Sequence, residues 1–223
     1  MLESMRNAGR IHDNKSKGNI GEDVVFALLA KRYPPFLLYH SLEYPYQTDR
    51  SGNVYLGNIK YDADQKRFYS VSGADYPDEV DVVLITPYRF LLIEVKSYRS
   101  SYFDCYEHWC NVHNGPCDKS PVTQGEKHAR HFYHFMNSVI PDGDPNYIVP
   151  IVCLVDNIVL RDDRVDYWQI KYPVCILDDL IPTINKVDTP LDYNLDLKSI
   201  NRFVHKKATS IKKEMIREDF PTD

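Results

Sequence analysis

The chain has 223 residues, 43% of them hydrophobic, and carries a formal net charge of −5. That length fits one large domain, or one domain with an appendage, around a substantial core, and the net negative field means that any nucleic-acid partner must be held by a local basic patch. No run approaches a membrane span, the first twenty residues lack the apolar segment of a signal peptide, and five cysteines form an odd set, so the expectation is an intracellular protein with reduced thiols and no membrane contact.

In chain order, residues 1–17 read as a flexible polar leader. Gly18-Asn19-Ile20-Gly21 opens a helix whose apolar positions are Val24, Val25, Leu28 and Leu29 and which Pro34-Pro35 ends. Glu22 falls in its first turn, where the helix dipole favours a carboxylate. A tyrosine-rich stretch follows, with 54–60 and 67–71 flanking 61–66 as the arms of a hairpin inserted in the core. Then come two apolar strands, Glu79-Val80-Asp81-Val82-Val83-Leu84-Ile85 and Phe90-Leu91-Leu92-Ile93-Glu94-Val95-Lys96, separated by a Pro87-containing turn. Residues 102–112 have aromatic strand character. Ser120 and Pro121 suit the cap and first turn of a helix over 122–139. Residues 147–155 read as a buried strand, 174–177 as a shorter one, 178–185 as a helix interrupted at Pro182, and 195–217 as a final amphipathic helix. Strands and helices mixed in this order predict an α/β sandwich around a central mixed sheet.

The two acid-bearing strands carry the chemistry. An ionised carboxylate in hydrocarbon must be paired or metal-bound, so Asp81, Glu94 and Lys96 need one another or a cation. Alternation puts Glu94 and Lys96 on one face. The acid-x-Lys spacing alone is weak, since about two such matches arise by chance in this composition, and Asp13/Lys15, Asp64/Lys66 and Asp196/Lys198 also fit. A two-residue turn at Pro87-Tyr88 places Asp81 opposite Glu94, and a four-residue turn places it opposite Lys96. An odd-length turn sends it to the other face. Hard oxygen ligands of this kind suit Mg²⁺ or Mn²⁺, and the chemistry implied is phosphodiester hydrolysis, with Lys96 orienting or deprotonating a water. The competing reading is a buried ion-pair network without catalysis.

Gly18-Asn19-Ile20-Gly21-Glu22 before an apolar helix, Glu79-Val80-Asp81, Ile93-Glu94-Val95-Lys96, Trp109, and Ser120-Pro121-Val122-Thr123-Gln124 opening a helix together resemble the nuclease-related domain (NERD) family of the PD-(D/E)xK nuclease superfamily. The resemblance runs in order over about residues 18–155, and several weak motifs in one order outweigh any single one. It implies a restriction-endonuclease-like fold, a mixed central β-sheet flanked by helices, here with the β-hairpin insertion and a C-terminal helix. It also implies cleavage of DNA with a divalent metal. Carried over by position, Asp81, Glu94 and the backbone carbonyl of Val95 would hold the metal, Lys96 would be the catalytic lysine, Glu22 the accessory helix carboxylate, and Gln124 would approach from the following helix. The implied organisation is a nuclease domain over 18–185 containing the insertion at 43–73, followed by a basic helical appendage over 186–223. A homodimer would bring two such sites to two strands. Two other classes compete: a catalytically inactive nucleic-acid-binding or adaptor protein with the same fold, and a small interaction protein using the insertion and the terminal helix.

Four secondary signals remain. Cys105, Cys110, His113 and Cys117, with His108 between them, have enough ligands for a structural zinc but lack a short Cys-x-x-Cys knuckle. His128, His131 and His134 follow Gln124 on its helix, and His128 is the best placed to touch phosphate, although packing or solvent exposure is the expected use of all three. Lys198, Arg202, Lys206, Lys207, Lys212, Lys213 and Arg217 make the last segment locally basic, a solvated face or a phosphate contact. Tyr44, Tyr46, Tyr55 and Tyr61 offer stacking surfaces for bases, with packing the expected use.

Overall fold

The computed structural model describes residues 20–31, 36–45, 59–62, 67–70, 77–97, 100–103, 109–111, 115–116, 120–156, 159–162 and 172–217. Helix α1 (20–29) leads into strand β1 (Phe36–Pro45), and the short β2 (Ile59–Asp62) and β3 (Arg67–Ser70) pair as the expected hairpin. Strands β4 (Pro77–Ile85) and β5 (Phe90–Lys96) follow, then β6 (Ser100–Phe103), β7 (Trp109–Asn111) and β8 (Gly115–Pro116). Helix α2 (Pro121–Met136) precedes β9 (Ile148–Leu154), β10 (Val159–Asp162) and β11 (Val174–Ile176). Helices α3 (Leu180–Val187) and α4 (Leu197–Lys207) and strand β12 (Ser210–Arg217) complete the order.

The main sheet has six strands in the order β11-β9-β5-β4-β1-β12. β5 pairs antiparallel with β4 and parallel with β9, so it is covered by a strand on each side and by helices on both faces. That position explains why its residues read as a continuous apolar run instead of an alternating one. On one face Val83, Ile85, Phe90 and Leu92 pack with Phe132, Phe135 and Met136 of α2 and with Ile200 and Val204 of α4. On the other, Val82, Leu84, Leu91 and Ile93 pack with Val25 and Leu29 of α1 and with Leu180 and Ile184 of α3. The result is the mixed sheet flanked by helices expected from the pattern of elements.

Local signals place several elements. The Ser120 hydroxyl accepts from the Val122 amide at 3.3 Å, and Pro121 fills the first turn of α2, where its missing N–H is not needed. At the β4–β5 turn the Thr86 amide donates to the Arg89 carbonyl at 3.0 Å, closing a two-residue loop of Pro87 and Tyr88. The ladder then runs Ile85↔Phe90, Leu84↔Leu91, Val83↔Leu92 and Val82↔Ile93. One further step sets Asp81 opposite Glu94, the first of the two even registers.

Other expectations are corrected. The segment 195–217 is not one helix: α4 ends at Lys207, and Ser210–Arg217 returns as an edge strand antiparallel to β1. The apolar spacing there suits either period, and pairing with the exposed edge of β1 decides for strand. Residues 102–112 are not one strand either, since β6 and β7 are separate and belong to a four-stranded sheet ordered β10-β6-β7-β8. Pro182 does not interrupt α3, because it sits in the first turn.

One irregularity crosses three strands. On β1 the residues facing α2 and α4 are Leu37 and Tyr39 and then, out of phase, Leu42 and Tyr44; on β4 they are Val80 and then Val83 and Ile85. The pairing of β1 jumps from His40↔Val82 to Leu42↔Val80 on one side and from His40↔Lys213 to Leu42↔Ile211 on the other. Lys212, Ser41 and Asp81 therefore form a row that skips the regular ladder. Ser41 is held at φ 47°, a left-handed conformation costing a non-glycine residue on the order of 1 kcal/mol.

Candidate active site

Asp81 stands where regular pairing skips a row on the β1 side of β4 and ends on the β5 side. Its opposite number on β1 is the turned-out Ser41, and on the β5 side the ladder ends at Val82↔Ile93. Beyond that point the Val95 amide donates to Asp81 Oδ2 at 2.7 Å. A carboxylate thus takes the place of the β4 main-chain acceptor. The Lys96 carbonyl accepts from Val155 on the β9 side at 2.9 Å. Backbone groups of successive strand residues point to alternate edges, so the Val95 carbonyl is directed toward β4, the edge that Asp81 occupies.

Glu94 is 2% exposed and touches Lys96 Nζ through Oε1. Its other oxygen lies 3.1 Å from His128 Nδ1, close enough for an ion pair but off the line of a hydrogen bond, so Glu94 Oε2 and His128 Nδ1 each lack an aligned partner. Burial raises the Glu94 pKa, and His128 and Lys96 outweigh it, leaving Glu94 below the usual carboxylate range. For His128 the balance has the opposite sign: burial lowers its pKa, but Glu94, Asp78 and Asp81 together raise it. Asp81 is pushed up to about 7, first by burial and then by the Glu94 charge beside it, with Glu22 adding in the same direction and Val95 and Lys96 opposing. Two carboxylates compete for one region of positive potential, the condition that a cation relieves.

Glu22 arrives from α1. Gly21 makes this approach possible, since a Cβ there would meet Val155 Cγ2 at 2.8 Å and Val95 Cγ1 at 3.3 Å. Glu22 Oε2 accepts from Ser41 Oγ at 3.2 Å and lies 3.1 Å from Nε2 of the fully buried His40. The left-handed turn at Ser41 thus serves both the gap beside Asp81 and the anchoring of Glu22. Gln124 is half-buried on α2, one turn before His128, but the side chain that reaches Glu94 from this helix is His128.

Behind His128 stands a support that the sequence did not single out. Asp78 Oδ1 is 3.7 Å from His128 Nε2, and Asp78 Oδ2 is 2.6 Å from His131 Nδ1. The Tyr44 hydroxyl donates to Asp78 Oδ2 at 3.4 Å and approaches the His128 carbonyl at 3.3 Å. Burial raises the pKa of Asp78, but His131 and His128 outweigh it and hold the carboxyl below its usual range. Asp78 lies three residues before Asp81, and His131 follows His128 by one helical turn, a spacing visible in the sequence but without meaning until β4 and α2 are packed together. Tyr44 is a core residue with its ring stacked on Phe135 at 4.9 Å, not a platform for bases. Tyr46 and Tyr55 fall outside the described residues, as do Cys105, His108, His113 and Cys117; Cys110 lies on β7.

Among the described residues no three His, Cys, Asp or Glu side chains converge as metal ligands. A site with two carboxylates and a carbonyl still fits a hard cation, because Mg²⁺ is held by one or two carboxylates with water and substrate completing its shell. The unaligned, buried Glu94 Oε2 and the mutual repulsion of Asp81 and Glu94 both point to that fit. No helix among the described residues is long and apolar enough to cross a membrane.

Residues 17–155 match the family model described as nuclease-related domain, NERD. The match spans α1, the Asp81 and Glu94 strands, α2 and β9, which are the elements that build the site. No curated protein and no solved structure matches the chain.

Proposed function

The chain belongs to the nuclease-related domain family, and from that premise we propose that it is a divalent-metal-dependent deoxyribonuclease whose reaction is hydrolysis of DNA phosphodiester bonds. The observation that carries the proposal is the replacement of regular pairing at Asp81 by a carboxylate-to-amide bond that sets Asp81 beside the buried Glu94–Lys96 pair. An ion-pair network built only for stability has no reason to keep two acids in mutual repulsion, one of them raised to about 7.

In this reading Asp81, Glu94 and the Val95 carbonyl hold Mg²⁺ or Mn²⁺. The bound ion would supply positive charge for the phosphate and a lowered pKa for a water. Lys96, held on Glu94, orients the attacking water and stabilises charge growing on the phosphate oxygens. Water oxygen bonds to phosphorus and the bridging ester oxygen leaves with a proton. Glu22, fixed by Ser41 and His40, adds an acceptor on the α1 side, and Gln124 approaches from α2. His128, anchored against Asp78, holds Glu94 from behind.

The test incubates wild type, Glu94→Ala and Lys96→Ala with linear, circular and single-stranded DNA and with RNA, in Mg²⁺, Mn²⁺ or EDTA. Metal-dependent cutting that both substitutions abolish is the expected result. Equal cutting by all three proteins would place the activity elsewhere, and DNA binding without cutting in Mn²⁺ would leave a binding module.

A further inference from the structure

The site occupies one end of the sheet: the start of β4, the end of β5 and the end of β1. The turn joining α4 to β12 is at this same end, because β12 runs antiparallel to β1 and the Thr209 amide donates to the Glu43 carbonyl at 2.8 Å. A groove of about 400 Å³ lies along the turn, lined by His205, Thr209, Ser210, Lys212 and Lys213 among others. Lys206 and Lys207 end α4, exposed, just before it.

Strand register adds a distance. Lys212 and Asp81 flank Ser41 in the row that skips the ladder, and strands are spaced about 4.8 Å apart, so the two Cα positions are separated by roughly 10 Å across the sheet. Lys212 is exposed and in no ion pair with a described residue, whereas its neighbour Lys213 is engaged by Asp23 at 2.6 Å. The acids at this end are numerous. Glu43 faces Glu79 across the strands, and Glu22, Asp78, Asp81 and Glu94 lie close by. A phosphate backbone reaching Asp81 would be repelled unless cations stood at the rim, and the whole chain supplies none through its net charge of −5.

We infer that Lys206, Lys207 and Lys212 form a cationic ledge that holds the sugar–phosphate backbone of DNA beside the carboxylate site. The helix dipole favours lysines at the end of α4 and edge protection favours them on β12, but neither requires both sets at the end of the sheet that carries the acids. The inference rests on the proposed nuclease reading and names the contact through which that substrate is held.

The experiment measures fluorescence-anisotropy binding of labelled duplex and single-stranded DNA in EDTA across a salt series, so no cutting is involved. The proteins are wild type, the triple variant Lys206→Gln/Lys207→Gln/Lys212→Gln, and a control, Lys186→Gln, on the exposed side of α3. Each released phosphate contact reduces the slope of log affinity against log salt by about 0.9 on duplex DNA, so the triple variant is expected to lose a slope of about 2 to 3 and to bind at least tenfold more weakly at low salt. The control keeps wild-type affinity and slope. Thermal melting verifies that the exposed substitutions leave the fold intact. A triple variant with wild-type slope overturns the ledge while leaving nuclease activity standing. Lysine-dependent binding by a wild type that never cuts supports the ledge and removes the nuclease, and a wild type that binds no DNA removes both.

Discussion

The β4–β5 hairpin has two ends built on opposite principles. At the turn the main chain and the Thr86 hydroxyl are regularly paired, although Nη1 of the buried Arg89 lacks a partner among the described residues. The Thr86 hydroxyl accepts from the Tyr88 and Arg89 amides, both at 3.1 Å, and donates to Asp188 at 2.6 Å, while the Leu195 amide caps the Pro87 carbonyl at 2.7 Å. At the far end the ladder stops, a carboxylate takes over an amide, and a buried glutamate oxygen is left without an aligned bond. One end is optimised for stability and the other carries irregularity in three strands at once. Such departures from local consistency concentrate at functional sites. Substitutions at the first end should therefore act on stability alone, and those at the second on activity more than on stability.

The largest effect should come from Glu94→Gln, which preserves shape but removes the charge that Lys96 and His128 flank. Cutting is expected to fall at least ~10³-fold, about 4 kcal/mol of barrier, a larger effect than the stability lost with the Glu94–Lys96 pair. Cleavage within tenfold of wild type would break the contrast between the ends. At the turn, Thr86→Val removes an acceptor from two amides and should cost about 2 kcal/mol in denaturant unfolding. Activity per folded molecule should not move; a proportionate loss of specific activity would show that the turn also serves the site.

Gly21→Ala probes the junction of the two principles. The added methyl, 2.8 Å from Val155 Cγ2, should push the start of α1 off β5 and β9 at a cost of about 1–3 kcal/mol. With Glu22 displaced, cutting should drop roughly tenfold, about 1.4 kcal/mol of barrier. Full activity in a destabilised variant would separate Glu22 from the chemistry.

Asp78→Asn has a pH signature. The folded-state pKa of Asp78 is depressed by His131 and His128 against the pull of burial, so its stabilisation is present above the unfolded pKa near 3.9 and is lost as pH falls through the lower folded value. Wild type should lose more stability than the variant as pH falls from 6 to 3. Parallel stability curves would exclude the Asp78–His131 contact as a stabilising pair. The smallest effect is reserved for Ser41→Gly, which relieves the positive φ and should change stability by no more than about 1 kcal/mol. It also deletes the hydroxyl that holds Glu22, so a modest loss of cutting in a protein at least as stable is the expected combination.

Legibility in the sequence followed the range of the interactions. The cap of α2 is a contact between Ser120 and Val122, and the register of Asp81 against Glu94 follows from a turn of even length at Pro87-Tyr88. Both depend on neighbours in the chain. His128 is a candidate for phosphate contact because it falls one turn after Gln124, with packing or solvent exposure its expected use, and only the seating of α2 over β5 shows it against Glu94. Asp78 and His131, separated by 53 residues, carried no local mark of their pairing.

What the sequence alone determined is the pair of strands with acids written into apolar runs, the sharing of one face by Glu94 and Lys96, and the family to which the motifs belong. Strand alternation and the cost of burying charge are short-range facts, readable without coordinates. The tertiary structure decided the rest: β12 as an edge strand on β1, Ser41 turned out opposite Asp81, Glu22 brought in over Gly21, and lysines from the last segment placed at the end of the sheet that holds the acids. Each depends on contacts across 19 to more than 100 residues. Propensity is silent over such distances, and packing and register choose among alternatives that the local pattern leaves equal.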